Sequence, residues 1–135
     1  MRDSPEMQHP PRVVVIAISL FMLSHALNDL RRIAEVGILP VVSHPIALAM
    51  VWGPVLWLSV ASYRGKNWGR LFIAGFTVFG VCYMPWSLPP VMGTRMAALQ
   101  CAQAILCIGA SLLLFRPAAG RWFRSLKKAS ATVEQ

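Results

Sequence analysis

Four polar residues near the end of the first apolar run have the types and spacing for chemistry: His25, Asn28, Asp29 and Arg32. Positions three, four and seven residues apart share one face of a helix, so these side chains are predicted to lie together. Ionisable groups in or beside a membrane helix are costly, and by default they indicate function. Asp29 could hold the His25 imidazole in one tautomer, which would create a proton relay or a site for a polar ligand.

The sequence favours a structural interpretation of these residues over a functional one. At a helix end in the headgroup zone, Asp29 and Arg32 would form an ordinary intrahelical ion pair. Two glutamines in the last apolar run, Gln100 and Gln103, also lie three residues apart. They are expected to hydrogen-bond between helices or to line a polar pocket.

Little else in the chain suggests catalysis. His25 and His44 could together ligate a haem or a metal ion, but two histidines without a third ligand are weak evidence. The sequence has no Ser/His/Asp arrangement, no glycine-rich phosphate loop and no HExxH motif, and it has only five acidic residues. Its cysteines, Cys82, Cys101 and Cys107, lack the spacing of a zinc site or a disulfide framework. We predict a non-enzymatic protein with no metal and no cofactor.

The composition and the long apolar runs predict a membrane protein. The 135 residues are 56% hydrophobic and 13% charged, whereas soluble domains carry about 25% charged residues. A helix needs roughly 17–25 residues to cross a hydrocarbon core of about 30 Å. Four runs meet this length, at about 13–30, 45–63, 71–88 and 96–115. The predicted fold class is all-α, an integral membrane bundle of four antiparallel helices in up-down order.

The two ends of the chain differ from this bundle in composition. Residues 1–12 are polar and proline-rich and are predicted to be a disordered lead-in. Residues 116–135 are predicted to be a basic cytoplasmic tail. A cleaved signal peptide is the rival interpretation of the first run, because Ser24-His25-Ala26 resembles a small-x-small cleavage site. Asp3 and Glu6 dilute the basic flank that a signal peptide needs, so we expect the first helix to be retained.

The second and third runs are separated by a short basic segment, the hinge (residues 64–70): Arg64-Gly65-Lys66-Asn67-Trp68-Gly69-Arg70. So short a connection forces the flanking helices to be antiparallel neighbours. Gly65 and Gly69 suit a turn because glycine readily adopts positive φ. Trp68 suits the headgroup region, where a ring with one polar N–H is favoured.

The distribution of basic residues predicts the topology. With both termini in the cytoplasm, ten of the 13 Lys and Arg residues lie inside, and Arg31, Arg32 and Arg95 lie outside. Such an excess in short segments marks the cytoplasmic side. The net charge of +8 is therefore better explained by the bilayer and its anionic headgroups than by nucleic acid. The basic residues expected at that surface are Arg64, Lys66, Arg70, Arg121, Arg124, Lys127 and Lys128.

Two segments resemble a known group of proteins. The hinge sequence Gly65-Lys66-Asn67-Trp68-Gly69-Arg70 resembles the G-(K/R)-N-W-(G/A)-R segment of small bacterial inner-membrane proteins with four predicted helices. Residues 115–124, with the pattern F-R-P-A-x-x-R-W-F-R, are similar to the closing segment of the same group. The resemblance covers the last three helices in outline. It implies a multi-pass protein of a bacterial inner membrane, and it implies no activity, because that group has no assigned function.

Three hypotheses for function follow, in order of preference. The first is an accessory, scaffold or protective subunit that packs with a membrane-protein partner or with itself. The second is a small oligomeric transporter or channel that uses the polar residues near Asp29 and Gln100. Small multidrug exporters are similar in size, but they rely on a glutamate in the first helix, and no glutamate lies within a predicted span here. The third is a membrane enzyme or redox component that uses His25 and His44.

Overall fold

The computed structural model describes residues 9–39, 43–87 and 94–133. This part of the chain contains five helices and no strand, so the predicted all-α class is confirmed. The helices are α1 (Arg12–Val36), α2 (Pro45–Tyr63), α3 (Asn67–Ser87), α4 (Thr94–Leu114) and α5 (Pro117–Val133). Most of the predicted lead-in and the end of the third predicted span, at Leu88, lie outside the described residues.

Three helical segments are long and apolar enough to cross a membrane: Arg12–Ala34, Pro45–Tyr63 and Arg95–Leu114. These segments belong to α1, α2 and α4. The third helix, α3, is not among them, and its first turn carries Asn67 and Arg70. The chain is therefore a membrane protein by length and composition, while a count of four spans stays a prediction.

The first helix is longer than the predicted span of 13–30. No residue that breaks a helix occurs before Gly37, which adopts a φ of 83° and ends α1. The Gly37 N–H donates to the Ile33 carbonyl oxygen over 2.8 Å. The extra turns carry Arg31 and Arg32 beyond the apolar part of the helix.

The turn between α2 and α3 has the geometry that the glycine at position 65 predicts. Gly65 has a φ of 73°, and its N–H donates to the Ser62 carbonyl over 3.0 Å. The next N–H, from Lys66, donates to the Ala61 carbonyl over 2.9 Å. These two bonds form a Schellman motif, which satisfies carbonyls that a helix end would otherwise leave unpaired.

Gly69 has a different role from the one that the sequence analysis gave it. It lies within α3 and does not have a positive φ, so the expectation of a turn residue was wrong there. A Cβ at this position would lie 2.8 Å from Ser62 Oγ and 3.0 Å from the Ser62 backbone nitrogen. The absence of a side chain at Gly69 therefore lets α3 approach α2 closely.

The buried apolar residues are concentrated at the hinge end of the bundle. The first helix contributes Val14, Ala17, Ile18 and Phe21, whose spacing of three and four residues marks one helix face. The other helices contribute Val55, Leu58, Ile73, Ala110, Leu114, Ala119, Trp122 and Phe123. The first helix packs most extensively against α4, and it also contacts α2 and α5. The most extensive interface between helices is therefore that between α1 and α4.

The outward faces of the helices are strongly apolar. Met50 on α2 is 74% exposed, Phe79 on α3 is 69% exposed and Ile105 on α4 is 68% exposed. Soluble proteins rarely expose apolar patches of the size that such faces form. The surface is therefore suited to contact with lipid chains, and α3 shares this property with α2 and α4.

Candidate functional site

The imidazole of His25 is held by its own helix. Its Nδ1 lies 3.0 Å from the Phe21 carbonyl oxygen and 3.2 Å from Ser24 Oγ. A carbonyl oxygen only accepts hydrogen bonds, so Nδ1 carries the proton, and in the neutral ring Nε2 is left as an acceptor. The Phe21 ring stands edge-on to the imidazole, with 4.7 Å between the ring centroids. Phe21 rather than Asp29 therefore fixes the tautomer and the orientation of His25.

A short chain of hydroxyl and thiol groups ties α1 to α4. Ser24 Oγ is fully buried and donates to the Phe21 carbonyl over 2.6 Å. The Cys107 thiol donates to the same Ser24 oxygen over 3.0 Å. Cys107 lacks the spacing of a zinc site or a disulfide, and its thiol instead donates a hydrogen bond between helices.

A second polar contact joins α3 to α4. Thr77 is buried, and its Oγ1 donates to the Ile73 carbonyl over 2.9 Å within its own helix. The same atom lies 2.8 Å from Ser111 Oγ on α4. Three helices are thus connected through hydroxyl and thiol groups, and the Ser24 and Thr77 hydroxyls each satisfy a backbone carbonyl as well.

Beside these contacts lies a cavity of about 270 Å³, the polar cavity, between α1, α3 and α4. His25 lines it from α1, Thr77 from α3, and Gln100, Gln103 and Cys107 from α4. His25 and the two glutamines were predicted from the sequence to be polar candidates on separate helices. The structure brings them to the same cavity, with aromatic side chains completing the wall.

Asp29 does not belong to this cavity. Its Oδ2 accepts a hydrogen bond of 2.6 Å from the indole nitrogen of Trp52 on α2. Its Oδ1 is buried and has no hydrogen-bond partner among the described residues. Neither the proposed pairing with His25 nor the proposed ion pair with Arg32 occurs in this part of the chain. The carboxylate instead ties α1 to α2.

The remaining predicted polar residues lie at the same end of the bundle as Asp29. Asn28 is half-buried, and Arg32 is exposed at the end of α1. His44 is exposed immediately before α2. No group of three or more His, Cys, Asp or Glu side chains that could hold a metal ion occurs in the ranges that the structure describes.

The basic tail folds into an amphipathic helix that packs on the hinge. The apolar residues Ala119, Trp122, Phe123 and Leu126 follow the three-and-four spacing of one helix face. A Cβ at Gly65 would overlap Leu126 and lie 3.4 Å from the Trp122 ring, so α5 lies directly against the turn. The aromatic residues of the tail thus enter the protein core.

Arg70 fastens α5 to the rest of the bundle. Its guanidinium carbon lies 5.2 Å from the centre of the Phe115 ring and 5.0 Å from the centre of the Phe123 ring. Both distances are within the range of a cation–π interaction. Burial, followed by the positive charge of Arg124, lowers the pKa of the Arg70 guanidinium from its ordinary value. Arg70 is thus a packing residue between the hinge and α5, and it is only half-exposed.

The other predicted surface residues remain exposed at this end of the bundle. We call them the basic platform: Arg64, Lys66, Arg121, Arg124, Lys127 and Lys128. The first two belong to the hinge and the last four to α5. Because α5 packs on the hinge, two basic segments that are distant in the chain form one charged surface.

Arg70→Ala is expected to lower the free energy of unfolding by about 2 kcal/mol, since two cation–π contacts at a partly desolvated site are lost. Arg70→Lys keeps the charge but loses the planar group, so it should recover only part of that loss. Equilibrium unfolding in detergent micelles, followed by tryptophan fluorescence, measures both. Arg64→Ala, at an exposed hinge position, is the control and should change stability little. Equal effects at positions 64 and 70 would contradict the assigned role.

The residues that the sequence analysis did not select as site residues are Ser24, Trp52, Thr77, Cys107 and Ser111. Their common signal is a hydroxyl, thiol or indole N–H inside an apolar run, where each such group needs a partner. Comparisons of the chain with protein-family models, with curated proteins and with solved structures found no match.

Proposed function

We propose that the protein is a non-enzymatic, multi-pass protein of a bacterial inner membrane that works as an accessory or scaffold subunit. Its basic platform faces the cytoplasm, beside anionic headgroups, and receives an acidic surface of a membrane-protein partner. In this proposal α1 to α4 cross the bilayer in up-down order, and α5 lies at the cytoplasmic surface.

The observation that carries the proposal is the packing of α5 on the hinge. Orientation of a membrane protein needs only that Lys and Arg residues lie near the ends of its spans. It does not need a helix anchored by two buried aromatic residues, Trp122 and Phe123, and by the Arg70 contacts. A positively charged surface of fixed shape supports recognition of a partner by complementary charge.

The exposed face of α3 supports a fourth span. Phe72, Val78 and Phe79 are exposed on this helix as similar apolar residues are on α2 and α4. An even number of spans keeps the hinge and both termini on one side of the membrane. The excess of basic residues at the hinge and in α5 favours the cytoplasm for that side.

The test is extraction of the tagged protein into nanodiscs, followed by mass determination and identification of co-purifying proteins. We expect a membrane protein in fixed stoichiometry. A variant with Gln at the four α5 positions of the platform, 121, 124, 127 and 128, should recover at least tenfold less of this partner. The matched control replaces each Arg by Lys and each Lys by Arg at the same four positions, which keeps the charge. It should recover the partner fully. A monomer without a partner, or equal recovery by the Gln variant, would contradict the proposal.

The polar cavity favours a second candidate function, a small oligomeric transporter. His25, Gln100 and Gln103 line one cavity at the depth of the apolar runs, as a substrate pathway would require. A homo-oligomer as the only extracted species would favour this candidate over the accessory subunit.

A further inference from the structure

We propose that the polar cavity is a binding site for an uncharged amphipathic molecule with a hydroxyl-bearing head, such as a phenol, and an apolar body. The proposal does not depend on the basic platform, which lies at the other side of the buried core. It shares its cavity with the transport alternative, so it is tested here by binding and not by flux.

The hydrogen-bonding groups of the cavity define the head of the ligand. The Nδ1–H group of His25 donates to the Phe21 carbonyl, which leaves Nε2 of the neutral ring to accept from an O–H group. The side-chain amide of Gln103 can both donate and accept, so it suits the oxygen of the same head. A hydroxyl group, which donates once and accepts as well, matches this set.

The charge of the cavity wall excludes an ionic head. Among the described residues that line the cavity, none is Asp, Glu, Lys or Arg. A buried ion without an opposite charge is costly in an apolar environment, whereas a neutral hydroxyl needs only hydrogen-bond partners. The wall therefore selects a neutral molecule over a carboxylate or an ammonium ion.

A second cavity of about 260 Å³ lies on the opposite side of the same residues and accommodates the body. It shares Phe21, His25 and Phe76 with the polar cavity, and its other walls come from apolar side chains of α2 such as Val51 and Leu58. Small-molecule sites typically occupy about 300–1,000 Å³ and combine apolar walls with a few placed polar groups. Together the two cavities offer a polar part for a head and an apolar part for a chain.

Three residues line both cavities: Phe21, His25 and Phe76. Phe21 is 1% exposed and held in the core, but Phe76 is 52% exposed and lies at the outer wall of both cavities. A rotamer change of Phe76 is therefore the step that would join them. The exposure of Phe76 on the apolar surface also places the entrance toward lipid, from which an amphipathic molecule would arrive.

The experiment uses the full chain in nanodiscs and a 4-alkylphenol that carries a photoreactive diazirine in its alkyl chain. Because the photoreactive group lies in the apolar body, we expect saturable labelling of peptides from α1, α2 and α3, which line the second cavity. The methyl ether of the same probe, which cannot donate a hydrogen bond, should bind about fivefold more weakly, as the loss of one hydrogen bond requires. Labelling that does not saturate, or equal labelling by the ether, would overturn the proposal.

His25→Phe removes the acceptor while keeping a ring, and it should weaken binding of the phenol by a similar factor without affecting the ether. His44→Phe changes an exposed histidine and is the matched control. If His25→Phe is unstable by thermal unfolding, Gln103→Met is used in its place, and it should weaken binding of both probes, because the amide donates to an oxygen that both carry. The proposal would also be overturned if the wild type, the cavity variant and the control bound the phenol with equal affinity.

Discussion

Phe123→Ala is expected to lower the free energy of unfolding by roughly 3–5 kcal/mol, the usual cost of removing a large buried aromatic side chain. Phe123 is 2% exposed, and its ring contacts both Trp122 and the Arg70 guanidinium. Removing the ring leaves a cavity between α5 and the hinge and deprives Arg70 of one of its two aromatic neighbours. We therefore expect α5 to separate from the bundle before the other helices unfold.

Two measurements check this result. Equilibrium unfolding in detergent gives the loss of stability, and limited digestion with trypsin reports the exposure of the α5 backbone at Arg121, Arg124, Lys127 and Lys128. Phe72→Ala is the matched control, because Phe72 is 55% exposed on the outward face of α3. A loss of stability no larger than that of Phe72→Ala would show that α5 is not packed as described.

Gly69→Val is expected to cost roughly 2–3 kcal/mol, because an overpacked site must move its neighbours. The added Cβ would lie 3.0 Å from the Ser62 backbone nitrogen, and backbone cannot rotate away as a side chain can. The helices α2 and α3 must therefore separate at the hinge. Gly75→Val is the matched control on the same helix, since a Cβ at Gly75 meets no atom within 4 Å.

A double-mutant cycle with Ser62 tests which contact is responsible for the effect of Gly69→Val. The nearest atom to the added Cβ is Ser62 Oγ, at 2.8 Å. Ser62→Ala removes that oxygen, so it should recover part of the stability lost by Gly69→Val but have no effect on Gly75→Val. Additive effects of Ser62→Ala and Gly69→Val would place the contact between α2 and α3 elsewhere.

The sequence predicted the class of the fold and the tight turn, because both depend on local chemistry. Long apolar runs give helices of membrane length, and a glycine after a helix gives a positive φ, as at Gly65. The sequence did not predict the role of Gly69, because a close approach between helices depends on how the two helices are rotated about their axes. In soluble proteins an apolar stripe reveals that rotation, but in α2 and α3 nearly every face is apolar.

The same lack of an apolar stripe explains the partial prediction of the site. The sequence grouped His25 with Asp29 from their spacing on one helix, but the structure divides them between a cavity at α3 and α4 and a contact with Trp52 on α2. It identified Gln100 and Gln103 because amides inside an apolar run need partners. It did not identify the docking of α5, because a basic helix with buried aromatic residues has the same pattern as one lying on a membrane.

The central claim is that the hinge and α5 form one surface on one side of a membrane that the helices cross. Single cysteines at Lys66, Lys128 and Ser43, in a chain whose own three cysteines are replaced by alanine, test it by labelling with a membrane-impermeant maleimide in sealed vesicles of known orientation. The account predicts that positions 66 and 128 are labelled only from the cytoplasmic side and position 43 only from the opposite side. Labelling of positions 66 and 128 from different sides, or of position 43 from the same side as both, would contradict it.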